Sequence, residues 1–145
     1  MNLSKFAETL EELISDFGIN RKELARTVNI DAASVTKYLQ AQTVPTVKNI
    51  VKLADYFNCS VDFLIGLNDE SAPKAFLPCP PTGERLAEIL DKNGYSGYRF
   101  CKEAKLNEPR FYEWLSGKHQ PSLENIIIIA KFLGVSVDYV LGREK

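Results

Sequence analysis

The chain repeats itself once, at an offset of 76 residues. The segment Ser-Val-Asp-Phe-Leu-Ile-Gly at 60–66 returns as Ser-Val-Asp-Tyr-Val-Leu-Gly at 136–142. The same offset pairs identical residues back toward the start of each half: Leu10 with Leu86, Gly18 with Gly94, Leu39 with Leu115, Pro45 with Pro121, Asn49 with Asn125 and Ala54 with Ala130. A long unit that occurs only twice indicates two small domains rather than a stacked array of short repeats.

Apolar residues recur at steps of three and four, which is the period of an amphipathic helix. The first half begins with this spacing at Phe6, Leu10, Leu13 and Phe17. No stretch shows the period-two alternation of a strand. Halves of about 70 residues lie near the lower size limit for independent folding, so each needs a compact helical core. The sequence therefore predicts an all-α protein made of two tandem five-helix domains.

Residues that favour helix starts stand before the expected helices. Gly18 is expected to end the first helix in a left-handed conformation. The predicted N-caps are Asn20, Asp31, Thr46 and Ser60 in the first half, and Ser96, Asn107, Ser122 and Ser136 in the second. Between the halves, prolines at 73, 78, 80 and 81 predict a semi-rigid linker. We therefore predict a first domain at 1–68, a linker at 69–81 and a second domain at 82–145.

Charge and cysteine content exclude several classes of protein. Residues 1–70 carry a net charge of −3 and residues 71–145 a net charge of +2, so neither half has the strong basic excess of a non-specific nucleic-acid coat. Three cysteines without a C-x-x-C pair and a single histidine predict free thiols, with no metal and no cofactor. The sequence shows no catalytic constellation, signal peptide or membrane span, so we expect a cytoplasmic protein that is not an enzyme.

Two short helices joined by a tight turn form a helix-turn-helix arrangement in each half. In the first half, small Ala25 in the second helix faces branched Val35 in the third, which lets the helices cross closely and pushes the outer face of the third helix outward. Tyr38, Phe111 and Trp114 have the helical phase of core residues.

The sequence resembles the phage-repressor helix-turn-helix family, the Cro/CI or Xre type, over residues 6–66 and again over 82–142. The likeness rests on Asn-Arg-Lys-Glu-Leu-Ala at 20–25, on residues 30–39, on the loop ending in Pro45, and on the Ser-Val-Asp-Phe-Leu-Ile-Gly tail. In the second copy the loop at 115–125 follows the family pattern more closely. The resemblance implies lambda-repressor-like domains whose third helix enters the major groove of double-stranded DNA.

For the first copy, the resemblance implies a phosphate contact from the first residue of the second helix, here Arg21. It implies base contacts from Ala32, Ala33 and Lys37. Alanine offers only a methyl group to thymine, whereas lysine reaches guanine or a phosphate. The full expected set is Asn20, Arg21, Ala32, Ala33, Ser34, Thr36, Lys37 and Gln42. The alternative for Arg21 and Lys37 is that they are ordinary solvated surface charges.

The second copy departs from the family at the same positions. Gly97 replaces the phosphate-binding side chain, and Glu108, Pro109 and Glu113 stand where bases are read. Glutamate can accept a hydrogen bond from cytosine N4, but the phosphates of DNA repel two carboxylates at this position. The expected contacts in this copy are Ser96, Arg110, Tyr112, Lys118 and His119.

The resemblance thus implies a sequence-specific, DNA-binding transcriptional regulator of repressor type, in which two unlike domains act as a covalent pseudo-dimer. The alternative is a protein-interaction module of antirepressor or antitoxin-like type, in which the second domain no longer reads DNA. A homodimer, or a protein partner bound through the second domain, is left open. No membrane partner is expected.

Overall fold

The computed structural model describes residues 1–69 and 75–145. It divides into two compact units, Met1–Ala75 and Phe76–Lys145. All regular structure in the described ranges is helical, which confirms the predicted all-α class. The first unit contains α1 (Leu3–Asp16), α2 (Arg21–Val28), α3 (Ala32–Leu39), α4 (Val47–Phe57) and α5 (Val61–Leu64). The second contains α6 (Thr82–Lys92), α7 (Gly97–Ala104), α8 (Glu108–Ser116), α9 (Leu123–Leu133) and α10 (Val137–Leu141).

The repeat offset carries directly into the helix boundaries. Helices α2 and α7 begin and end at positions 76 residues apart, and so do α4 and α9. The first helices differ, because α1 has 14 residues and α6 has 11. Helix α6 begins directly after Pro80 and Pro81, and a proline disfavours helical conformation in the residue before it.

The side-chain caps fix most helix starts as predicted. Thr46 Oγ1 accepts from the Asn49 amide at 3.1 Å, and Ser60 Oγ accepts from the Phe63 amide at 2.9 Å. The caps predicted in the second half are also confirmed, at Ser96, Asn107, Ser122 and Ser136. Gly18 follows α1 with a φ of +65°, the left-handed geometry expected there. Helix α1 has a further cap that was not predicted, the side chain of Asn2.

The predicted N-cap at Asp31 is confirmed in its position, but its side chain does not cap the helix. Asp31 stands at the N-cap position of α3 but makes no side-chain capping hydrogen bond, and it is exposed. Asn107, at the same place in the second unit, accepts from the Arg110 amide at 3.0 Å. A charged carboxylate at the surface keeps its hydration without such a bond, so α3 begins without this contribution to its stability.

In the first unit, all five helices contribute buried residues to the core, and α2 and α3 face it with their inner sides. Ala25 and Val35 are both buried, as the close helix crossing requires, and Tyr38 is only 4% exposed. Helix α3 packs mainly against α1 and α2. The next residue, Leu39, is only partly buried. This packing leaves the opposite face of α3 at the surface.

The second unit builds its core from aromatic rings. The Phe111 ring lies 5.5 Å from the Phe100 ring and 5.8 Å from the Trp114 ring, and all three residues are buried. Cys101 is buried at the position that corresponds to Ala25, where a small residue lets α7 approach α8. The predictions that Phe111 and Trp114 are core residues are confirmed.

Part of the predicted linker packs on the second unit. The Leu77 amide donates to the Arg143 carbonyl at 2.8 Å, and the Arg143 guanidinium lies 4.2 Å from the centre of the Phe76 ring. Arg143 is fully buried and pairs with buried Asp138. Residues 76–81 therefore belong to the structure of this unit, while residues 70–74 of the linker prediction lie outside the described residues.

We expect a fragment of residues 76–145 to be more stable than one of residues 82–145. The shorter fragment loses the cation–π contact of Phe76 and the hydrogen bond of Leu77, which together amount to about 2–4 kcal/mol. Within the longer fragment, Phe76→Ala should lower the free energy of unfolding by about 2 kcal/mol, and the exposed Leu77→Ala should change it little. Urea unfolding measures all four proteins, and equal stability of the two fragments would contradict the packing of this segment.

Candidate nucleic-acid interface

Asn20 places Arg21 at the first turn of α2. Asn20 Oδ1 accepts from the Glu23 amide at 2.9 Å, and Asn20 Nδ2 donates to the Glu23 carboxylate at 2.9 Å. This reciprocal pair satisfies the start of the helix and fixes where Arg21 leaves it. Arg21 is exposed beside an open cleft of about 440 Å³. Its side chain makes no ion pair or hydrogen bond with any residue of the described ranges.

The exposed surface of α3 carries small side chains and one charged residue, Lys37. Ala32, Ala33 and Lys37 are exposed, and Ser34 and Thr36 are partly buried beside them. No acidic residue lies on α3 itself, although Asp31 precedes it. Lys37 has no ion-pair partner in the part of the chain that the structure describes. The structure thus brings the base-contact candidates of the first copy together on one accessible helix face.

The loop after α3 folds back against the end of this helix. The Gln42 amide donates to the Lys37 carbonyl at 2.9 Å, and Ala41 adopts a left-handed φ of +56°. Gln42 is exposed. The loop therefore holds Gln42 beside the carboxyl end of α3, next to the predicted reading face.

The second copy has a different arrangement at the phosphate-binding position. The Tyr112 ring of α8 covers Gly97, because a Cβ atom added to this glycine would lie 2.8 Å from Tyr112 Cε1. Tyr112 is nevertheless 45% exposed. A larger side chain at the start of α7 would therefore displace the Tyr112 ring from its present position.

Glu108 interacts with its own domain instead of pointing freely outward. Its carboxylate lies near the Tyr112 side chain, close enough to affect the pKa of that phenol. Desolvation, and then the charge of Glu108, raises the pKa of Tyr112 above its ordinary value of 10.0. Burial, and then the same carboxylate, raises the pKa of the Cys101 thiol from 9.0 to about 11. Both groups therefore stay protonated at neutral pH.

The second carboxylate of α8 is also engaged. Glu113 Oε2 lies 3.1 Å from His119 Nε2, and this histidine was expected to contact DNA. Ser96 accepts from the Arg99 amide at 3.1 Å and so starts α7. Arg110 and Lys118 are exposed and have no ion-pair partner among the described residues. The five expected contacts of this copy therefore divide into three side chains that interact within the domain, Ser96, Tyr112 and His119, and two basic side chains without an ion-pair partner, Arg110 and Lys118.

Three contacts near these faces were not predicted from the sequence. Asn49 Nδ2 donates to the Tyr38 hydroxyl at 2.9 Å, between α4 and α3. Tyr112 covers Gly97, as described above. The four-residue spacing of Glu108 and Tyr112 was a readable signal for a shared helix face. Nothing in the sequence spacing indicated the other two contacts, because each joins separate helices.

Glu108→Gln should lower the pKa of Tyr112 and of Cys101, since a neutral amide no longer opposes formation of the phenolate or the thiolate. Ultraviolet titration of the variant, with Tyr112→Phe as reference, measures the phenol. Peptide-resolved alkylation against pH measures the thiol. The exposed Glu124→Gln is the matched control and should change neither. Unchanged values in Glu108→Gln would show that this carboxylate does not face the two groups.

Two other kinds of site are not found among the described residues. No helix there combines the length and the apolar character that a membrane crossing requires. No group of three or more His, Cys, Asp or Glu side chains there is placed to hold a metal ion. The surfaces of α2–α3 and α7–α8 are thus the candidate sites that the structure offers.

The known proteins that this chain resembles include HTH-type transcriptional regulators. The chain is similar to an uncharacterized HTH-type transcriptional regulator of Rickettsia prowazekii, with 36% identity over 66 residues, 43% of this chain and 72% of that protein. It is similar to one of Rickettsia conorii, also at 36% over 66 residues, which covers 43% of this chain but only 61% of that protein. The HTH-type regulator YobD of Bacillus subtilis is 26% identical over 100 residues, 68% of this chain and 84% of that protein.

Among solved structures, a transcriptional regulator from Listeria innocua is 26% identical, covers 67% of this chain and 83% of its own, and has a TM-score of 0.41. A helix-turn-helix family model matches this chain in two regions, residues 3–64 and 86–140, which together exceed half of its length. The chain belongs to the helix-turn-helix family, of the Cro/CI or Xre type, and contains two tandem copies of its domain.

Proposed function

We propose that this protein is a sequence-specific, DNA-binding transcriptional regulator of repressor type whose first domain carries most of the reading. Its membership in the helix-turn-helix family and the regulator names of its relatives support a role at DNA. The observation that carries the proposal is the state of Arg21 and Lys37. Both cations are exposed and without ion pairs in the described ranges, on a surface where α3 has no carboxylate.

In this proposal each residue of the first copy has a distinct task. Arg21 binds a backbone phosphate, next to the amino end of α2, where the helix dipole also favours an anion. Lys37 reaches a guanine edge or a phosphate, and Ala32 and Ala33 pack against thymine methyl groups. Asn20, Ser34, Thr36 and Gln42 surround these contacts and add hydrogen bonds to the sugar-phosphate backbone.

We further propose that the two domains act as a covalent pseudo-dimer on an asymmetric or direct-repeat site. Arg110 and Lys118 supply the charge of the second domain, since both are exposed and unpaired within the described residues. Tyr112 lies at the amino end of α7, where its hydroxyl can approach a phosphate. Two unlike reading faces suit two unlike half-sites.

The second candidate function is that the second domain binds a protein. The observation that favours it is that α8 carries two carboxylates, Glu108 and Glu113, and that Glu113 contacts His119, a residue expected to contact DNA. Carboxylates on α8 repel a polyanion, and a histidine held by Glu113 is turned away from such a contact. Tyr98 and Tyr112 are 58% and 45% exposed, and aromatic side chains of this kind are typical of protein interfaces.

Arg21→Ala should weaken binding to every DNA sequence alike and lower the salt slope by about one, as a lost phosphate contact does. Lys37→Ala should instead change the sequence preference, by about 1–3 kcal/mol, if the lysine reaches a base edge. Lys131→Ala removes an equal charge from the last turn of α9 and is the control. Fluorescence anisotropy at several salt concentrations measures the three variants. Affinities equal to that of the parent for Arg21→Ala and Lys37→Ala would remove the first domain from the DNA.

The double variant Glu108→Gln/Glu113→Gln separates the two roles of the second domain. If α8 lies in a groove without cytosines to receive these carboxylates, neutralising them removes a repulsion on the order of 1 kcal/mol each and tightens non-specific binding. If they read cytosine, the change loosens operator binding but still tightens binding to random DNA. Glu84→Gln/Asp91→Asn, on α6, is the charge-matched control. Titrations equal to those of the parent on both kinds of DNA would favour the protein-binding role.

A further inference from the structure

The first domain contains one side-chain hydrogen bond that joins its third and fourth helices. Asn49 Nδ2, in the first turn of α4, donates to the Tyr38 hydroxyl of α3 at 2.9 Å. Tyr38 is 4% exposed, and Asn49 is partly buried. A neutral hydrogen bond shielded from water in this way has a defined geometry and is costly to leave half-made.

Tyr38 is held on two sides. Its ring lies 5.7 Å from the Phe6 ring of α1, at an interplanar angle of 56°, while its hydroxyl is held by α4. Helix α3 otherwise packs mainly on α1 and α2. The Asn49 bond is therefore the polar link that opposes rotation or tilting of α3 away from α4.

The rotational setting of α3 decides where its reading residues point. Lys37 precedes Tyr38 in the chain, and successive helical residues are about 100° apart around the axis. If Tyr38 turns, Lys37 and Ala33 turn with it. A base contact tolerates little displacement, because hydrogen bonds weaken steeply outside their preferred distance and angle.

The second domain lacks this link and provides an internal comparison. Trp114 stands at the position of Tyr38, and Asn125 at that of Asn49. An indole nitrogen can only donate a hydrogen bond, so it cannot accept one from an asparagine amide. Asn125 is bonded to Ser122 through its backbone amide at 3.2 Å, and no bond between its side chain and Trp114 occurs in the described part of the chain.

We propose that the Asn49–Tyr38 hydrogen bond sets the orientation of α3 for DNA reading, and that Asn49 is a positioning residue for sequence preference in the first domain. The proposal rests on the proposed DNA-binding function and adds a specificity determinant that does not touch DNA. Without the bond α3 samples more orientations. Binding to a preferred site must then restrict α3, and this loss of conformational entropy lowers the affinity relative to the parent.

The test uses the full chain and two probes: a duplex that the parent selects from a random-sequence library, and a random-sequence duplex of equal length. Four variants are compared, Asn49→Ala, Tyr38→Phe, the double variant, and Asn125→Ala as the matched control in the second domain. Tyr38→Phe keeps the buried ring and removes only the hydroxyl. Circular dichroism sets a temperature at which all the proteins are folded.

Asn49→Ala and Tyr38→Phe should each weaken binding to the selected duplex about three- to tenfold, which corresponds to one neutral hydrogen bond. The double variant should be no weaker than either single variant, because all three lack the same bond. Binding to the random duplex and the salt slope should stay at the parent values, because no phosphate contact is lost. Asn125→Ala should bind as the parent does.

Three results would overturn the proposal. A loss in Asn49→Ala alone, with a smaller salt slope, would show that Asn49 contacts a phosphate directly. Additive losses in the double variant would show that the two residues act separately. A lower melting temperature with unchanged affinity for the selected duplex would show that the bond contributes only to stability.

Hydrogen exchange of the DNA-free chain tests whether the bond orders α3, independently of the proposed DNA-binding function. Amide exchange along α3 of the DNA-free chain should be faster in Asn49→Ala and Tyr38→Phe than in the parent. Exchange along α8 should be unchanged in Asn125→Ala. If the parent shows no preferred duplex, the proposed function fails while the exchange data still decide whether the bond orders α3. Parent-like exchange in both variants would refute the orienting role.

Discussion

The close packing of two short helices is the constraint on which the rest of each domain depends. Helices α2 and α3 have eight residues each, too few to be stable in water alone, so their order comes from burial against each other and against α1. Burial of Ala25 and Val35 permits this approach in the first unit, and Cys101 takes the place of Ala25 in the second. Because one side of each third helix is used for this packing, its other side lies at the surface and can carry a binding site.

The fold could be predicted from the sequence because its determinants are local or periodic. The offset of 76 residues gave the helix register, and capping residues such as Thr46 and Ser122 gave the helix starts. Asp31 takes the predicted N-cap position but makes no side-chain capping hydrogen bond, and composition does not reveal whether a carboxylate at this position makes one. The packing of residues 76–81 was missed because it depends on Arg143, more than sixty positions away in the chain.

The positions of the candidate site residues could be predicted from the sequence, but which of them have ion-pair partners could not. Sequence reasoning placed Lys37 and Glu113 at equivalent positions, and the structure leaves the first without an ion-pair partner in the described ranges and pairs the second with His119. An exposed, unpaired cation attracts phosphate, whereas a carboxylate at the equivalent position repels it. The two faces therefore differ more in charge than their similar backbones suggest, which supports unequal roles for the domains.

The separation of core and surface explains how two domains can share a fold and differ in their reading faces. On α8 the core side is formed by Phe111 and Trp114, while the outer side carries Glu108, Tyr112 and Glu113. Substitutions on such an outer face usually change stability by less than about 0.5 kcal/mol, so the reading surface can vary while the packing stays the same. The exception is the Tyr112 ring over Gly97. A larger side chain at position 97, such as arginine, would require the Tyr112 ring to move, so a substitution at one of these two positions alters the surroundings of the other.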